Sequence, residues 1–426
     1  MTGSERKKII ELIKREVVPA IGCTEPIAVA LAAAKAREVL GDIPENIEAY
    51  LSPNILKNAM GVGIPGTGMI GLPIAIALGV LIGKSEYQLE VLKESNPEAV
   101  EKGKKYIAEY PVHISLKEEV KDKLYIEVLA SKGPESARVI IRTTHTNICF
   151  IEKDGEIILD KQERRSIEEN EDDASLILCK VYDFAMTAPL EEIAFILETG
   201  KTNKKAALSA FENDYGHSLG KTLAKESKDN MMGDSLFSHI LAYTSAACDA
   251  RMAGAMIPVV SNSGSGNQGI SASLPVLIYA EETGQPEENL IRALILSHLT
   301  VIYIKSYLGR LSALCGCVVA ATGSACGITY LMGGKYEQIS FAVKNMVANL
   351  TGMICDGAKP SCALKVCSGV STAVFSAMMA MDGKTVSSLE GIIDDDVDQS
   401  IKNLTLIGVE GMNETDRLIL KIMTEK

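Results

Sequence analysis

The chain has 426 residues, of which 47% are hydrophobic, so its length permits two or three domains and a sizeable core. It carries 43 Lys and Arg against 55 Asp and Glu, a formal net charge of -12. Because phosphate binding needs clustered basic residues, an acidic chain without a basic stripe argues against nucleic acid as a partner. The start MTGSERKKII has no apolar core or cleavage site of a secretory signal, so we expect a cytoplasmic protein.

The first two predicted helices flank a turn that carries a cysteine. Residues 4–17 place apolar side chains on one side and Lys and Arg opposite, which predicts an amphipathic helix. The turn AIGCTEP follows, and then an alanine-rich helix over residues 27–40 with Thr24 as its expected N-cap. Cys23 therefore lies beside a helix N-terminus, where the backbone dipole favours a thiolate. The alternative is a small buried residue in a turn between helices.

Residues 59–83 contain no charged side chain, a length sufficient for a membrane span. The run also holds seven Gly and two Pro and lacks aromatic anchors at its ends, so we expect no membrane association. We predict instead a loop over residues 61–68 whose amides face a ligand, followed by a buried helix. Asn54, Lys57 and Asn58 precede this loop as candidate polar contacts to substrate, although cap and surface positions would explain them equally.

Residues 85–165 carry more charge and contain alternating apolar runs. After a helix near Pro97–Glu109, the runs HISLKEEV, KLYIEVLAS and ARVIIRTTHTNICFIEKDGEIIL are separated by turn signals. This pattern predicts a small antiparallel sheet and hence a distinct α+β lobe. His145 and Asn147 interrupt the last run and are candidates to hydrogen-bond a substrate carboxylate or to take part in proton transfer. A solvated strand end is the alternative.

The loop SNSGSGNQG, residues 261–269, lies in the mostly helical region that follows. Consecutive Gly, Ser and Asn before a helix form a nest of amides that suits a carboxylate or phosphate. The loop lacks the GxxxxGK[ST] of a P-loop and does not follow a strand as a dinucleotide GxGxxG does. A flexible connector between helices is the alternative. The candidate substrate contacts in this loop, together with Thr24 above, are Ser263, Gly264, Ser265, Gly266, Asn267 and Gln268.

Six of the ten cysteines lie within residues 311–367, among Gly, Ala and Ser with few charges. In a reducing cytosol, clustered cysteines indicate a metal-binding or catalytic site more than disulfides, although single ones can be small buried hydrophobes. Zinc-type CxxC pairs and ferredoxin-type runs are absent. Three dispersed thiolates on a cubane iron–sulfur cluster would leave one iron free to act as a Lewis acid. The six cysteines are Cys315, Cys317, Cys326, Cys355, Cys362 and Cys367.

Predicted helices present several of these cysteines. A helix over residues 289–314 carries Lys305 and Arg310 and ends at Cys315, and a helix over residues 335–354 ends at Cys355. Cys362 opens a further helix. Because Cys367 comes five residues later in that helix, it points about 140° away from Cys362 and is a poorer ligand candidate.

Four motifs, AIGCTEP, SNSGSGNQG, GRLSALCGC and CDGAKPSCALK, occur in this order, and with them the chain resembles the L-cysteine desulfidase family over essentially its whole length. Members are oxygen-sensitive iron–sulfur lyases, more distantly similar to bacterial iron–sulfur L-serine dehydratases, and use a [4Fe-4S] cluster without pyridoxal phosphate. The resemblance implies Cys315, Cys355 and Cys362 as cluster ligands, with Cys317 competing for the first assignment. It implies Cys23 as a catalytic thiol or a conditional fourth ligand.

We therefore expect an α+β fold with a large, mostly helical domain of buried Gly- and Ala-rich helices and a small antiparallel-sheet lobe. The expected units are residues 1–84, packing with the C-terminal domain, residues 85–165 as the lobe, and residues 166–426 as the cluster-binding domain. The resemblance implies elimination of sulfide from L-cysteine to give pyruvate, ammonia and hydrogen sulfide. L-Serine dehydration by the same mechanism and a non-catalytic iron–sulfur sensor are the alternatives. A small amino acid is the expected substrate, and a homo-oligomer is left open.

Overall fold

The structure, a computed structural model, describes residues 1–117, 120, 122–161, 176–225, 232–309 and 311–425. A large helical part and a small sheet confirm the expected α+β class. The α-helices in this part of the chain are α1 (Gly3–Glu16), α2 (Thr24–Leu40), α3 (Pro53–Ala59), α4 (Leu72–Ile82), α5 (Pro97–Glu109), α6 (Leu178–Thr187), α7 (Leu190–Ile193), α8 (Leu197–Glu212), α9 (Leu219–Leu223), α10 (Leu236–Met252), α11 (Gly266–Glu282), α12 (Glu287–Leu308), α13 (Gly316–Leu331), α14 (Tyr336–Leu350), α15 (Cys362–Met381), α16 (Val397–Leu406) and α17 (Asn413–Thr424). The strands are β1 (Pro19–Ile21), β2 (Asn46–Leu51), β3 (Val112–Leu116), β4 (Tyr125–Lys132), β5 (Glu135–Arg142), β6 (Ile148–Lys153), β7 (Glu156–Asp160) and β8 (Pro258–Val260).

Six strands form one sheet in the order β3-β2-β4-β5-β6-β7. Neighbours are antiparallel except β2 and β3, which run parallel, so the expectation of a purely antiparallel sheet is wrong at this edge. The chain passes from β2 to β3 through α3, α4 and α5, a crossover of the length that parallel pairing requires. The boundary after residue 84 stays a prediction, but the sheet takes strands from both sides of it.

Two apolar helices, α2 and α4, pack together beside the sheet, and α2 contacts β4 and β5. Small residues allow a close approach, because a Cβ at Gly79 of α4 would lie 2.4 Å from the carbonyl oxygen of Ala30 in α2. The uncharged run over residues 59–83 thus forms a loop and the 11-residue helix α4, which is largely buried.

The helical part is arranged around α13, which contacts α11, α12, α14 and α15. Its glycines lie where neighbouring helices come closest. A Cβ at Gly323 would lie 2.4 Å from the carbonyl oxygen of Ser297 in α12, and one at Gly327 would lie 2.7 Å from Cγ2 of Val276 in α11. The Gly and Ala of this segment therefore serve close helix packing.

The N-terminal segment is joined to the helical part by backbone pairing. Strand β1 pairs antiparallel with β8, with Pro19 opposite Val260. Further along, the Gly63 amide donates to the Met252 carbonyl oxygen at the end of α10 (3.0 Å). Because β1 leads into Cys23 and β8 leads into the loop over residues 261–269, this pairing sets the two motifs side by side. The short strand before this loop differs from the sequence expectation that no strand precedes it.

Helices α12 and α15 are long and apolar enough to cross a membrane by length and composition. Most of each apolar stretch is buried inside the protein, 78% for α12 and 56% for α15. Helices of a protein core pass the same test, so this finding is weak evidence for a membrane protein.

Candidate active site

One cavity of about 90 Å³ gathers thiols from three distant parts of the chain. One wall comes from the turn before α2, one from the segment around the start of α13, and one from the turn before α15. Its small residues, Gly316, Gly357 and Ala358, leave room beside the sulfur atoms. The thiols that line it belong to Cys23, Cys315, Cys317, Cys355 and Cys362.

Two short extended segments hold Cys315 and Cys355 next to each other. The Cys315 amide donates to the Met353 carbonyl oxygen (2.9 Å), and the Cys355 amide donates to that of Ala313 (2.7 Å). Cys315 is then the N-cap of α13. Helix α12 ends at Leu308 rather than at the predicted residue 314, which frees this segment to pair.

Cys362 is the first residue of α15 and closes a turn that begins at Cys355. The turn presses against α3, since Gly357 has a φ of +89° and a Cβ there would lie 2.2 Å from the Lys57 carbonyl oxygen. Lys365, one helical turn into α15, donates to the Ile354 carbonyl oxygen (2.8 Å) and to the Asp356 carboxylate. These bonds tie both ends of the turn to the start of α15.

Cys23 enters the cavity from the turn between β1 and α2. It is the N-cap residue of α2, and its Sγ donates to Oε2 of Glu25 (2.9 Å). Burial raises the pKa of this thiol well above its usual value, and the Glu25 carboxylate adds to the shift. The expectation that the helix N-terminus favours a thiolate here is therefore wrong for this environment, because desolvation outweighs the dipole.

The thiols of the α13 and α15 segments influence one another. The hydrogen bond with Cys317 lowers the pKa of the Cys315 thiol to about 6, and the same bond raises that of Cys317. Burial raises the pKa of Cys355 to about 11 and also raises that of Cys362. Without a cation, most of these thiols keep their protons, whereas metal binding replaces them.

The donor set is of the type that holds an iron–sulfur cluster. Within the described ranges, no three His, Cys, Asp or Glu side chains are close enough to hold one metal ion. The thiols instead surround a cavity walled by Gly and Ala, and soft thiolates are the ligands that iron–sulfur clusters use. Both Cys315 and Cys317 face the cavity, so the choice between them stays open.

The loop over residues 261–269 forms the polar wall, with Ser265, Asn267 and Gln268 lining the cavity. Its other candidate residues hold the loop in place. The Ser263 hydroxyl donates to Oδ1 of Asn262 (2.8 Å), and the Gly264 carbonyl oxygen accepts from the Thr24 hydroxyl (3.0 Å). Gly266 leaves space for an arginine, since a Cβ there would lie 2.2 Å from Nε of Arg251. The loop is therefore a buried, bonded element.

Four other sequence candidates lie outside the cavity lining. Asn54 and Lys57 are buried, and Lys57 pairs with the Asp416 carboxylate. His145 does not line the cavity but contacts a residue that does: its Nε2 lies 4.0 Å from Oε1 of Glu25. Asn147 is exposed and donates to the Arg142 carbonyl oxygen (3.0 Å), because it closes the turn between β5 and β6. Asn54, Lys57 and Asn147 are therefore not placed to contact a substrate in the cavity.

The glycine loop over residues 61–68 also differs from the expectation. Gly63 packs on the end of α10, where its amide donates to Met252 and a Cβ would lie 2.3 Å from the Ala253 carbonyl carbon. The amides of Ile64, Gly66 and Thr67 also donate to backbone carbonyl oxygens, so the prediction that the amides of this loop face a ligand is wrong for these residues. Asn58, just before the loop, does line the cavity, and its Nδ2 donates to Oε1 of Glu25 (3.3 Å).

Three charged lining residues were missed as site residues by the sequence analysis: Glu25, Arg251 and Lys365. Lys305, noted there only as a charge in an apolar helix, lines the cavity too, while Arg310 falls outside the described residues. Arg251 is 4% exposed, and its Nη1 donates to Oδ1 of Asn267 (3.0 Å). The sequence signal that could have identified Arg251 is its charge within AACDARMAG, a segment made mostly of small and apolar residues suited to the core.

The candidate site is a thiol-lined cavity beside a buried polar loop in a largely helical fold. The chain belongs to the serine dehydratase alpha chain family, whose model matches residues 86–421. UPF0597 proteins of Bacteroides fragilis and Bacteroides thetaiotaomicron are 70% and 68% identical, covering all of this chain and 100% and 99% of their own. A UPF0597 protein of Oleidesulfovibrio alaskensis is 46% identical with full coverage of both chains.

Proposed function

We propose that this protein is a pyridoxal-independent lyase that eliminates the β-substituent of a small L-amino acid, with L-cysteine as the substrate and pyruvate, ammonia and hydrogen sulfide as the products. The observation that carries the proposal is the convergence of Cys23, Cys315, Cys355 and Cys362 on one cavity with a charged polar wall. Membership of the serine dehydratase alpha chain family supports the same class of reaction. A cytoplasmic location and a small-molecule partner belong to this proposal.

In this proposal Cys315, Cys355 and Cys362 hold a [4Fe-4S] cluster. When bound, the cluster would supply an iron without a protein ligand, a Lewis acid suited to a sulfur or hydroxyl leaving group. The chain provides what surrounds it. Burial of the cavity limits the access of water. The loop carrying Asn267 and Gln268 would hold the substrate from one wall and so fix its orientation.

Proton removal from Cα is assigned to Cys23. Its thiol donates to Glu25 Oε2 in the resting arrangement (2.9 Å), and this proton must leave before Cys23 acts as a base, because only the thiolate can accept a proton. The thiolate then takes the Cα proton as the Cβ–S bond breaks, which leaves aminoacrylate and sulfide. Aminoacrylate takes up water and releases ammonia to give pyruvate. Cys23 as a fourth cluster ligand in the resting enzyme is the alternative role.

L-Serine is the second candidate substrate, favoured by the family match. The same cavity and the same proton acceptor would serve, with hydroxide in place of sulfide as the leaving group. The ratio of kcat/KM for L-cysteine and L-serine decides between them, because a preference for one leaving group is a difference in transition-state stabilisation.

The test is made on anaerobically purified protein. We expect a broad absorption band near ~400 nm from iron–sulfur charge transfer and sulfide release from L-cysteine. Cys355→Ala should lose iron and activity, while Cys149→Ala, a buried cysteine of β6 away from the cavity, should keep both. Iron analysis of Cys315→Ala and Cys317→Ala identifies the first ligand.

Three results would count against the proposal. Full iron and sulfide content in Cys355→Ala would remove the cluster assignment. Bound cluster with no turnover of L-cysteine or L-serine would favour an iron–sulfur sensor. Turnover in Cys23→Ala at the wild-type rate would remove Cys23 as the base.

A further inference from the structure

Arg251 is a buried cation in the last turn of α10, and its charge is not paired with a carboxylate among the residues that the structure describes. Its side chain lines the cavity, and Nε has no hydrogen-bond partner in the described part of the chain. Nη1 donates to the Asn267 amide oxygen, which carries no charge. The C-terminal end of α10 offers only partial negative charge. A guanidinium in this position is strongly unfavourable unless an anion approaches it.

The other cations of the cavity already have bonds of their own. Lys365 is bonded to the Asp356 carboxylate and the Ile354 carbonyl oxygen. Lys305 also has an interaction partner. Nε of Arg251 is buried against Gly266, so the donor left for a ligand is Nη2, which has no hydrogen bond to the described residues. A guanidinium suits a carboxylate better than an ammonium group does. Gln268 also lines the cavity, and its Oε1 is buried without a hydrogen-bond partner within the described ranges.

A buried carboxylate lines the same cavity separately from this cation. Glu25 is 7% exposed, and it accepts from the Cys23 thiol, the Thr24 hydroxyl and the Asn58 amide. Across the described residues, no ion pair within 4.0 Å joins Glu25 to Arg251. Arg251 and Glu25 thus give the cavity a positive and a negative group that are held apart, an arrangement complementary to a zwitterion.

We propose that Arg251 binds the α-carboxylate of the substrate and that Glu25 receives its α-ammonium group. The cavity is then specific for α-amino acids with both charges, and rejects their amides and their deaminated analogues. This rests on the proposed function and extends it, since it assigns substrate recognition to two side chains rather than to the amides of the loop. The loop acts through Asn267 and Gly266, which hold the guanidinium in place.

The test uses L-alanine, which lacks a leaving group, so its binding does not depend on turnover. Binding to the cluster-loaded protein is measured by anaerobic calorimetry for L-alanine, L-alaninamide and propionate. We expect the wild type to bind L-alanine at least about tenfold more tightly than either analogue, because each analogue leaves one buried charge unpaired. Absence of L-alanine binding, or equal affinity for all three, would overturn the proposal.

Substitutions assign the two charges. Arg251→Gln should weaken L-alanine binding about 10- to 100-fold and abolish the preference over L-alaninamide, and Glu25→Gln should abolish the preference over propionate. Arg251→Lys keeps the buried charge and should bind L-alanine with intermediate affinity, because an ammonium group suits a carboxylate less well than a guanidinium does. Arg292→Gln is the matched control: it removes an arginine from α12 that is paired with Glu288, and should bind like wild type. An unchanged preference in Arg251→Gln would overturn the assignment.

The two proposals fail separately. Arg251-dependent binding of L-alanine without turnover of L-cysteine or L-serine would leave the zwitterion site and remove the lyase. Sulfide release from L-cysteine with equal affinity for L-alanine and L-alaninamide would leave the lyase and remove the zwitterion site. The analogue series on the wild type needs no variant, so a folding defect in Arg251→Gln does not block the test.

Discussion

Burial decides the protonation of most thiols in the candidate site. It raises the pKa of Cys23, Cys355 and Cys362, whereas a hydrogen bond lowers that of Cys315. A sequence shows that a cysteine begins a helix, but it does not show how deeply that helix end is buried. Burial first, and the Glu25 carboxylate second, raise the pKa of Cys23, so the thiolate predicted from its position is not favoured, although its predicted place near the other cysteines is confirmed.

His298 of α12 contacts the loop over residues 261–269 and gives a prediction about pH. Its Nδ1 accepts from the Asn262 amide (3.0 Å), and its Nε2 contacts the Thr199 hydroxyl (3.2 Å). Burial lowers its pKa to about 3 from an ordinary value near ~6.5. Above about pH 6.5, His298 is unprotonated in both the folded and the unfolded chain. As the pH falls below it, only the unfolded chain takes up the proton, so folded-state stability is lost between about pH 6.5 and 3.

The measurement is the free energy of unfolding in denaturant at several pH values. For His298 alone the loss is about 1.4 kcal/mol per pH unit, so His298→Gln should show a shallower decline between pH 6.5 and 4.5 than wild type. His113→Gln, at an exposed position in β3, is the control and should keep the wild-type slope. Parallel profiles for wild type and His298→Gln would contradict the prediction.

At the scale of elements, helices defined by local pattern were predicted well and pairings between distant segments were not. The bounds of α5 and the start of α15 are those expected from the sequence. Helix α12 stops six residues early because Gly309 has a φ of +79° and the next segment pairs with residues 353–355. That pairing exists only in the folded protein. Strand β2 was missed for the same reason, since its partners β3 and β4 lie more than 60 residues away.

Helix α13 offers a prediction about the packing that positions Cys315. A Cβ at Gly323 would lie 2.4 Å from the Ser297 carbonyl oxygen, and backbone of α12 cannot rotate away. Gly323→Ala should therefore push the two helices apart and destabilise the protein by about 1–3 kcal/mol. Thermal and denaturant unfolding measure the change, and iron content shows whether the start of α13 has moved.

The matched control is Gly3→Ala in α1, where an added Cβ meets no atom of the described residues within 4 Å. Its unfolding midpoint should stay at or slightly above the wild-type value, because Ala is the better helix former. If Gly323→Ala and Gly3→Ala shift the midpoint alike, close contact between α12 and α13 is not what requires a glycine.

At the scale of the whole molecule, the candidate site is assembled from segments more than 300 residues apart. The family resemblance carried by four motifs implied that Cys23 and the cysteines of residues 315–362 belong together, and the cavity contains them. Arg251 and Glu25 could not be assigned in the same way, because a single Arg or Glu in a helix has no signature until its neighbours are known. Pairing of β1 with β8 and of Leu314 with Ile354 creates those neighbours.

A buried ion pair between Lys57 of α3 and Asp416 of α17 joins the N-terminal and C-terminal segments beside this site. The Lys57 side chain is 2% exposed, Lys123 also lies within range of the Asp416 charge, and the backbone of Lys57 supports the turn at Gly357. Asp416→Asn leaves a buried ammonium without its counter-charge, so we expect a loss of about 3 kcal/mol in the free energy of unfolding and faster loss of iron from the loaded protein. Glu414→Gln, which breaks the exposed pair with Arg417 on the same helix, should change neither quantity measurably. Denaturant titration and timed iron release under anaerobic conditions measure both effects, and equal behaviour of the two variants would show that the C-terminal helix does not stabilise the site.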